Sequence, residues 1–286
     1  TSLLPVLLFP LLELVPLKSV LAPYMHPFVI LLMAGFMAAL AIERWNLHRR
    51  VAYKILLAVG TSPNRLILGV MIATATCSMW ISNTASTLIM LPIALALVAQ
   101  VREKGSGNAD DVDRFGLILL LALCYSASVG GLGTPVGTPP NLIFMAHHGG
   151  ISFLDWLAFG IPTVVILIPI IWIYLTRFIG RLPDDLPVGG RQVLEEELAQ
   201  LGKMKAEEKA VAFVFVAMAV LWITREIVVS VDPQTGEKEV IGWAHALGLS
   251  EAYAHDALVA VLGALVLFAW PSTQQKGERL LDWATA

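Results

Sequence analysis

Apolar positions in this chain gather into long, nearly unbroken runs separated by short polar segments. A helix needs about 20 apolar residues to cross about 30 Å of hydrocarbon. Leu3 to Val15, short at its N-terminal end, Phe28 to Ile42, Thr163 to Phe178 with prolines at 162 and 169, Val211 to Val229 and Ala257 to Trp270 read as such crossings. Between Trp45 and Val59 the pattern changes. Leu47, Val51, Ile55 and Ala58 recur at helical spacing while His48, Arg49, Arg50 and Lys54 take the other side, which predicts an amphipathic helix lying in the interface.

Two runs are too long for one crossing. Leu66 to Ala99 as a single helix would measure about 51 Å, and Phe115 to Ala146 about 48 Å. Each is interrupted: by Ser82-Asn83-Thr84 in the first, and by Gly133-Thr134-Pro135-Val136-Gly137-Thr138-Pro139-Pro140-Asn141 in the second. Polar, non-helical backbone at membrane depth persists only where protein buries it or where it lines a wet cavity. The first run is therefore expected to be a re-entrant hairpin turning at residues 82–84, with Pro92 inside its second arm, and the second a discontinuous span. Polar linkers separate these elements: a charged turn from Lys104 to Arg114, a longer segment from Arg181 to Lys205 whose Glu195-Glu196-Glu197 run predicts a solvated helix, and a turn at Asp232-Pro233-Gln234-Thr235-Gly236.

Composition agrees with a polytopic membrane protein. The 286 residues are 57% hydrophobic and 14% charged with a mean hydropathy of +0.75, against roughly 45–50% and 25% in soluble domains. A net charge of -3 offers no basic face for nucleic acid. Cys77 and Cys124 both sit in apolar runs, and no cysteine–histidine cluster has metal spacing. Charge placement orients the spans: if 66–99 is re-entrant, Arg44, Arg49, Arg50, Lys54 and Arg65 share the cytoplasmic side with Arg177, Arg181, Arg191, Lys203 and Lys205, and with Lys276 and Arg279. A full crossing would put the first two clusters on opposite sides. The chain opens Thr1-Ser2-Leu3-Leu4-Pro5, without an initiator methionine or signal-peptide start, and is read as a fragment.

The interruptions have a chemistry of their own. A helix broken in the membrane exposes carbonyls at one new end and N–H groups at the other, with partial charges near -0.5 and +0.5. In the hairpin, carbonyls near Ser82, the Ser78 hydroxyl and the Asn83 amide oxygen are hard ligands for a small cation, while the arm after Thr84 offers N–H groups to a carboxylate. In the second break, Gly133 and Gly137 allow close backbone approach, Pro139-Pro140 stop the helix, and Asn141 is placed to cap the one that restarts. Neither motif contains Lys, Arg, Asp or Glu. Two such breaks facing each other would hold a cation and an anion together, the half-helix arrangement of secondary transporters.

Ser78-Met79-Trp80-Ile81-Ser82-Asn83-Thr84-Ala85, Gly137-Thr138-Pro139-Pro140-Asn141 and Glu43-Arg44-Trp45-Asn46-Leu47-His48-Arg49-Arg50 together closely resemble the divalent anion/sodium symporter family, which includes dicarboxylate, citrate and sulfate carriers. The resemblance runs over nearly the whole chain and places it from about the third span to the eighth. It implies an all-α polytopic membrane protein, an inverted-repeat secondary transporter holding mainly the first repeat and stopping at Leu280-Leu281-Asp282-Trp283, near where the second repeat's hallmark elements begin. On that reading residues 1–43 form two transmembrane helices, 44–60 the interfacial helix, 61–101 the hairpin, 102–180 the broken helix and its successor, 181–206 a cytoplasmic linker and 207–286 two scaffold helices. The resemblance further implies a sodium site drawing on Ser78, Ser82, Asn83 and Gly137, and a substrate face formed by Asn83, Thr84, Thr138 and Pro139. Sodium is the coupling ion, a small divalent anion such as succinate the substrate, and no other cofactor is expected. A homodimer in the lipid bilayer of the inner membrane, with no nucleic-acid partner, completes the expectation.

The same residues also admit an exchanger on the same fold, a channel, and a membrane-embedded hydrolase using Ser82 as nucleophile with His147 or His148 as base. Glu43 with Arg44 reads as an interfacial charge pair, and His147-His148 beside Asp155 as the end of a span.

Overall fold

The computed structural model describes residues 3–60, 62–103, 109–183, 190–231, 238–249, 253–274 and 277–285. The Asp232–Gly236 turn, residues 104–108 of the charged turn, part of the 181–206 linker, Lys276, Thr1 and Ser2 lie outside the described residues. The chain is mostly helical. Two short helices, α1 (Leu4–Leu11) and α2 (Leu17–Leu21), precede α3 (Pro27–Arg44), which opens on Pro27 with His26 Nδ1 accepting from the Phe28 N–H at 3.3 Å. Asn46, in the left-handed region at φ 56°, turns the chain into α4 (Leu47–Val59).

The Leu66–Ala99 run is two helices, α5 (Pro63–Ser78) and α6 (Asn83–Glu103). The Phe115–Ala146 run is also broken, into α7 (Ala109–Gly130) and α8 (Pro139–His148). Helix α9 (Phe153–Tyr174), started by a Ser152–Asp155 capping box, runs on through a π-wound turn to Ile179. Then come α10 (Gly190–Gln200), α11 (Ala206–Ile223), a two-stranded antiparallel ribbon of β1 (Ile227–Val231) and β2 (Lys238–Ile241), the short α12 (Trp243–Ala246) and α13 (Asp256–Ala269). Among the described residues, α3, α6, α7 and α9 are long and apolar enough to cross a membrane.

Two expectations need correction, and α4 carries one unexpected burial. The helix expected from 211 to 229 ends at Ile223, because Arg225 is drawn inward to the Ala254 carbonyl at 2.6 Å and to Asp256 at 2.8 Å, and the β-branched run after it pairs as a strand. On α4, Val51 and Ala58 of the apolar side are exposed, while His48 and Arg50 of the polar side are buried. Arg50 goes inside because Glu208 meets its Nε at 2.7 Å and the carbonyls of Gly202 and Leu201 take its other donors, so the charge is paired as it is desolvated. Arg44 turns to Glu278 (2.8 Å) and Asp282 (2.5 Å) rather than pairing with Glu43.

The packing gives two cores. One joins α4, α5, α6, α7, α10 and most of α9; the other joins α3, α8, α11, α13 and the start of α9, and it also takes Ile81 and Val136 from the two interruptions. The breaks therefore sit where the cores meet.

Several contacts gather the charged ends. Arg49 reaches Glu197 at 3.3 Å, Trp172 Nε1 donates to the Asn64 carbonyl at 2.9 Å, Arg102 pairs with Asp113 at 2.8 Å, and a Cβ at Gly180 would meet Arg114. The start of α5, the end of α6, the start of α7 and the end of α9 are thus at one end of the molecule. Helices α5 and α6 therefore run antiparallel, the start of one beside the end of the other.

Candidate functional site: two opposed helix breaks

Helix α5 stops because its last turn tightens: the N–H groups of Trp80 and Ile81 both bond the Cys77 carbonyl, at 3.0 and 2.9 Å. The chain then turns through Met79–Ser82. Ser82 starts α6, its Oγ accepting from Ala85 N–H at 3.3 Å and its carbonyl accepting from Ser86 N–H at 2.9 Å. The turn is thus centred one or two residues before the Ser-Asn-Thr triplet, and Asn83 and Thr84 already belong to the first turn of the second helix.

Helix α7 ends at Gly130, where a Cβ would lie 2.5 Å from the Ala75 backbone; only glycine lets α5 and α7 approach this closely. Residues 131–138 follow without regular structure. Asn141 does not cap the next helix as expected. Pro139 and Pro140 carry no N–H, so the first available donor is Asn141's own, which bonds the Thr138 carbonyl at 3.1 Å. The buried Asn141 side chain instead ties the break together, its Nδ2 donating to the Gly131 and Thr134 carbonyls at 2.8 Å each. Trp156 Nε1 secures the Leu132 carbonyl at 2.9 Å.

The two breaks touch. Thr134 Oγ1 donates to the Met79 carbonyl in the hairpin turn and accepts from Gly137 N–H at 3.1 Å. A Cβ at Gly131 would lie 2.5 Å from Asn83 Oδ1, and one at Gly137 would lie 2.6 Å from the Gly131 carbonyl and 3.0 Å from that of Met79. Ser78 Oγ, fully buried, stands 2.7 Å from the Ala127 carbonyl and 2.8 Å from Asn83 Oδ1. One hydroxyl proton faces two acceptors there, and the Ala127 carbonyl also accepts from Gly131 N–H at 3.2 Å. That is an electron-rich cluster, with the carbonyl ends of α5 and α7 beside it.

Of the residues expected at a site, Ser78, Asn83 and the buried Gly137 are thus brought to the junction of the breaks. Ser82 Oγ is engaged by its own helix. Thr84 and Pro139 are exposed and Thr138 half-buried. The Ala127 and Met79 carbonyls and the Thr134 hydroxyl were not assigned from sequence; the small residues of Gly130-Gly131 and the Thr within the Gly/Pro run were the available signal. No charged side chain lies in 78–86 or 126–141, and no group of three or more His, Cys, Asp or Glu could hold a metal among the described residues. His147 and His148 are exposed, with Nδ1 at the carbonyls of Ile143 and Gly149.

Helix α9 serves as a ruler for depth. Trp172 touches the start of α5, while Trp156 and Gly160 touch the second break, 12 to 16 residues or about 18–24 Å away. The helix continues outward to Phe153, about 10 Å beyond Gly160.

A mostly helical assembly of this kind, with uncharged breaks buried between apolar helices, is a multi-pass integral protein of the plasma membrane. Residues 1–273 match the family described as citrate transporter, and the chain belongs to that family. Over its full length it is 38% identical to a sodium-dependent dicarboxylate transporter, SdcS, of Staphylococcus saprophyticus, and 37% identical to the SdcS of Staphylococcus aureus. In each case the alignment covers 54% of the relative, so the chain spans about half the length of the curated relatives it matches. These findings agree with the resemblance to divalent anion/sodium symporters and with a transporter rather than an enzyme.

Proposed function

We propose that this chain supplies one half of a sodium-coupled dicarboxylate transporter working by alternating access. The observation that carries the reading is the junction of the two breaks, where Ser78, Asn83 and the Ala127 carbonyl cluster beside Gly131 and Gly137. Sodium is held there by neutral oxygens, with the Gly137 backbone and Ser82 adjoining, and the positive ends of α6 and α8 favour a carboxylate at Asn83, Thr84, Thr138 and Pro139. The exposure of Thr84 and Pro139 fits a face completed by further protein.

Helices α5 and α6 form a re-entrant hairpin. Its turn meets a break that lies about 10 Å inside the start of α9, and both of its ends return to the charged side. That side is cytoplasmic by its excess of arginine and lysine. The hairpin and the broken helix move together as a transport domain against a scaffold containing α11 and α13, through which two copies pair. The relatives' names support sodium and dicarboxylate as coupling ion and substrate.

The test is uptake of labelled succinate by proteoliposomes holding the full-length protein. Accumulation driven by an inward sodium gradient into vesicles without internal substrate is expected. Uptake that requires internal counter-substrate would replace symport by exchange.

A further inference from the structure

At the charged end, where α9 meets α5, a cavity of about 280 Å³ opens between Asn64, Trp172, Thr176, Arg177, Arg181 and Leu182. Its two arginines, like Arg65 beside Asn64, differ from most arginines of the chain. Arg44, Arg50, Arg102, Arg114, Arg191 and Arg225 each face a carboxylate. Arg177 and Arg181 are exposed, and among the described residues neither guanidinium has a carboxylate or hydrogen-bond partner. Part of this mouth is the π-wound turn Leu175–Ile179, a geometry common at functional positions.

The surroundings define what would occupy the cavity. Trp172 anchors one wall through its bond to the Asn64 carbonyl, and an indole at the end of an apolar span marks the level of the headgroups. Asn64 Oδ1 is buried without a partner, an acceptor for a hydroxyl of the occupant. Beside the cavity, Ile173, Tyr174, Phe178 and Ile179 present apolar surface outward. Two free guanidinium groups, an unpaired acceptor and an apolar flank match an amphiphile with a phosphate and a hydroxylated head. Planar guanidinium suits phosphate oxygens bidentately.

We propose that this cavity binds the headgroup of an anionic phospholipid, with Arg177 and Arg181 on the phosphate and the acyl chains along Ile173, Tyr174 and Phe178. The lipid would hold the start of α5 to the end of α9 at the membrane surface.

The experiment titrates the full-length protein in neutral detergent with phosphatidylglycerol or phosphatidylcholine and counts bound lipids by native mass spectrometry. The wild-type protein is expected to retain phosphatidylglycerol preferentially. The double variant R177Q/R181Q should bind it about tenfold more weakly, with phosphatidylcholine binding unchanged, while Lys54→Gln on the exposed side of α4 should leave both unchanged. Equal phosphatidylglycerol affinity in the double variant, or no preference over phosphatidylcholine in the wild type, would overturn the proposal. Displacement by millimolar inorganic phosphate would overturn it too, by assigning the cavity to a soluble anion.

Discussion

Gly131 stands so close to Asn83 that a Cβ at position 131 would lie 2.5 Å from Asn83 Oδ1 and 3.2 Å from its Nδ2. Each break thus constrains the other: the amide that completes the oxygen cluster at Ser78 is held in place by a glycine in a different helix pair. Gly131→Ala should push the Asn83 side chain out of the cluster. We expect sodium-dependent uptake by the full-length protein to fall about tenfold or more, with the protein still eluting as a single species in detergent.

Thr134 should matter for stability as well as position. Its hydroxyl satisfies the Met79 carbonyl and the Gly137 N–H together. Thr134→Val keeps the shape and removes both bonds; Gly137 N–H keeps the Thr134 carbonyl at 3.3 Å, and the Met79 carbonyl is left without the hydroxyl, at a cost of about 1–3 kcal/mol. Thermal unfolding in detergent should shift downward, and Thr134→Ser should recover most of the loss.

The buried Arg50–Glu208 pair is a second prediction about stability. Removing one partner strands a charge, so Arg50→Met should destabilise by about 3–5 kcal/mol. The double change R50M/E208L should recover much of that, because the desolvation cost disappears along with the attraction.

His48 ties stability to pH. Burial holds its pKa below the usual imidazole value, with the Arg49 charge acting the same way and the hydrogen bond to the Ile42 carbonyl opposing both. The folded state therefore prefers the neutral ring. Stability is fully present above about pH 6.5 and is lost progressively as the pH falls below it toward the lowered folded value. A plot of melting temperature against pH should drop below pH 6.5 in the wild type and drop less steeply in His48→Gln, with His255, whose pKa is also lowered by burial, supplying part of what remains.

How much of this was legible in the sequence can be traced residue by residue. The excessive lengths of Leu66–Ala99 and Phe115–Ala146 announced two breaks, since membrane thickness bounds any single helix. Their contact with each other was not legible. It depends on Thr134, Gly130 and Gly131, small residues whose role appears only when another helix is against them. On α4, periodicity separated Leu47, Val51, Ile55 and Ala58 from His48, Arg49, Arg50 and Lys54. It could not register that Glu208, some 150 residues later, makes burial of Arg50 tolerable. Asn141 was misplaced for a local reason: Pro139 and Pro140 form the start of α8 instead of preceding it, so Asn141 stands at the third helical position and not at the cap.

The central claim is that Ser78 and Asn83 hold the coupling sodium at the junction of the breaks. The direct measurement is sodium-dependent uptake of labelled succinate in proteoliposomes by the full-length protein carrying Ser78→Ala or Asn83→Ala. Loss of the sodium-dependent component in both variants, with normal folding and insertion, is the predicted result. Uptake with an unchanged dependence on sodium concentration would contradict the site.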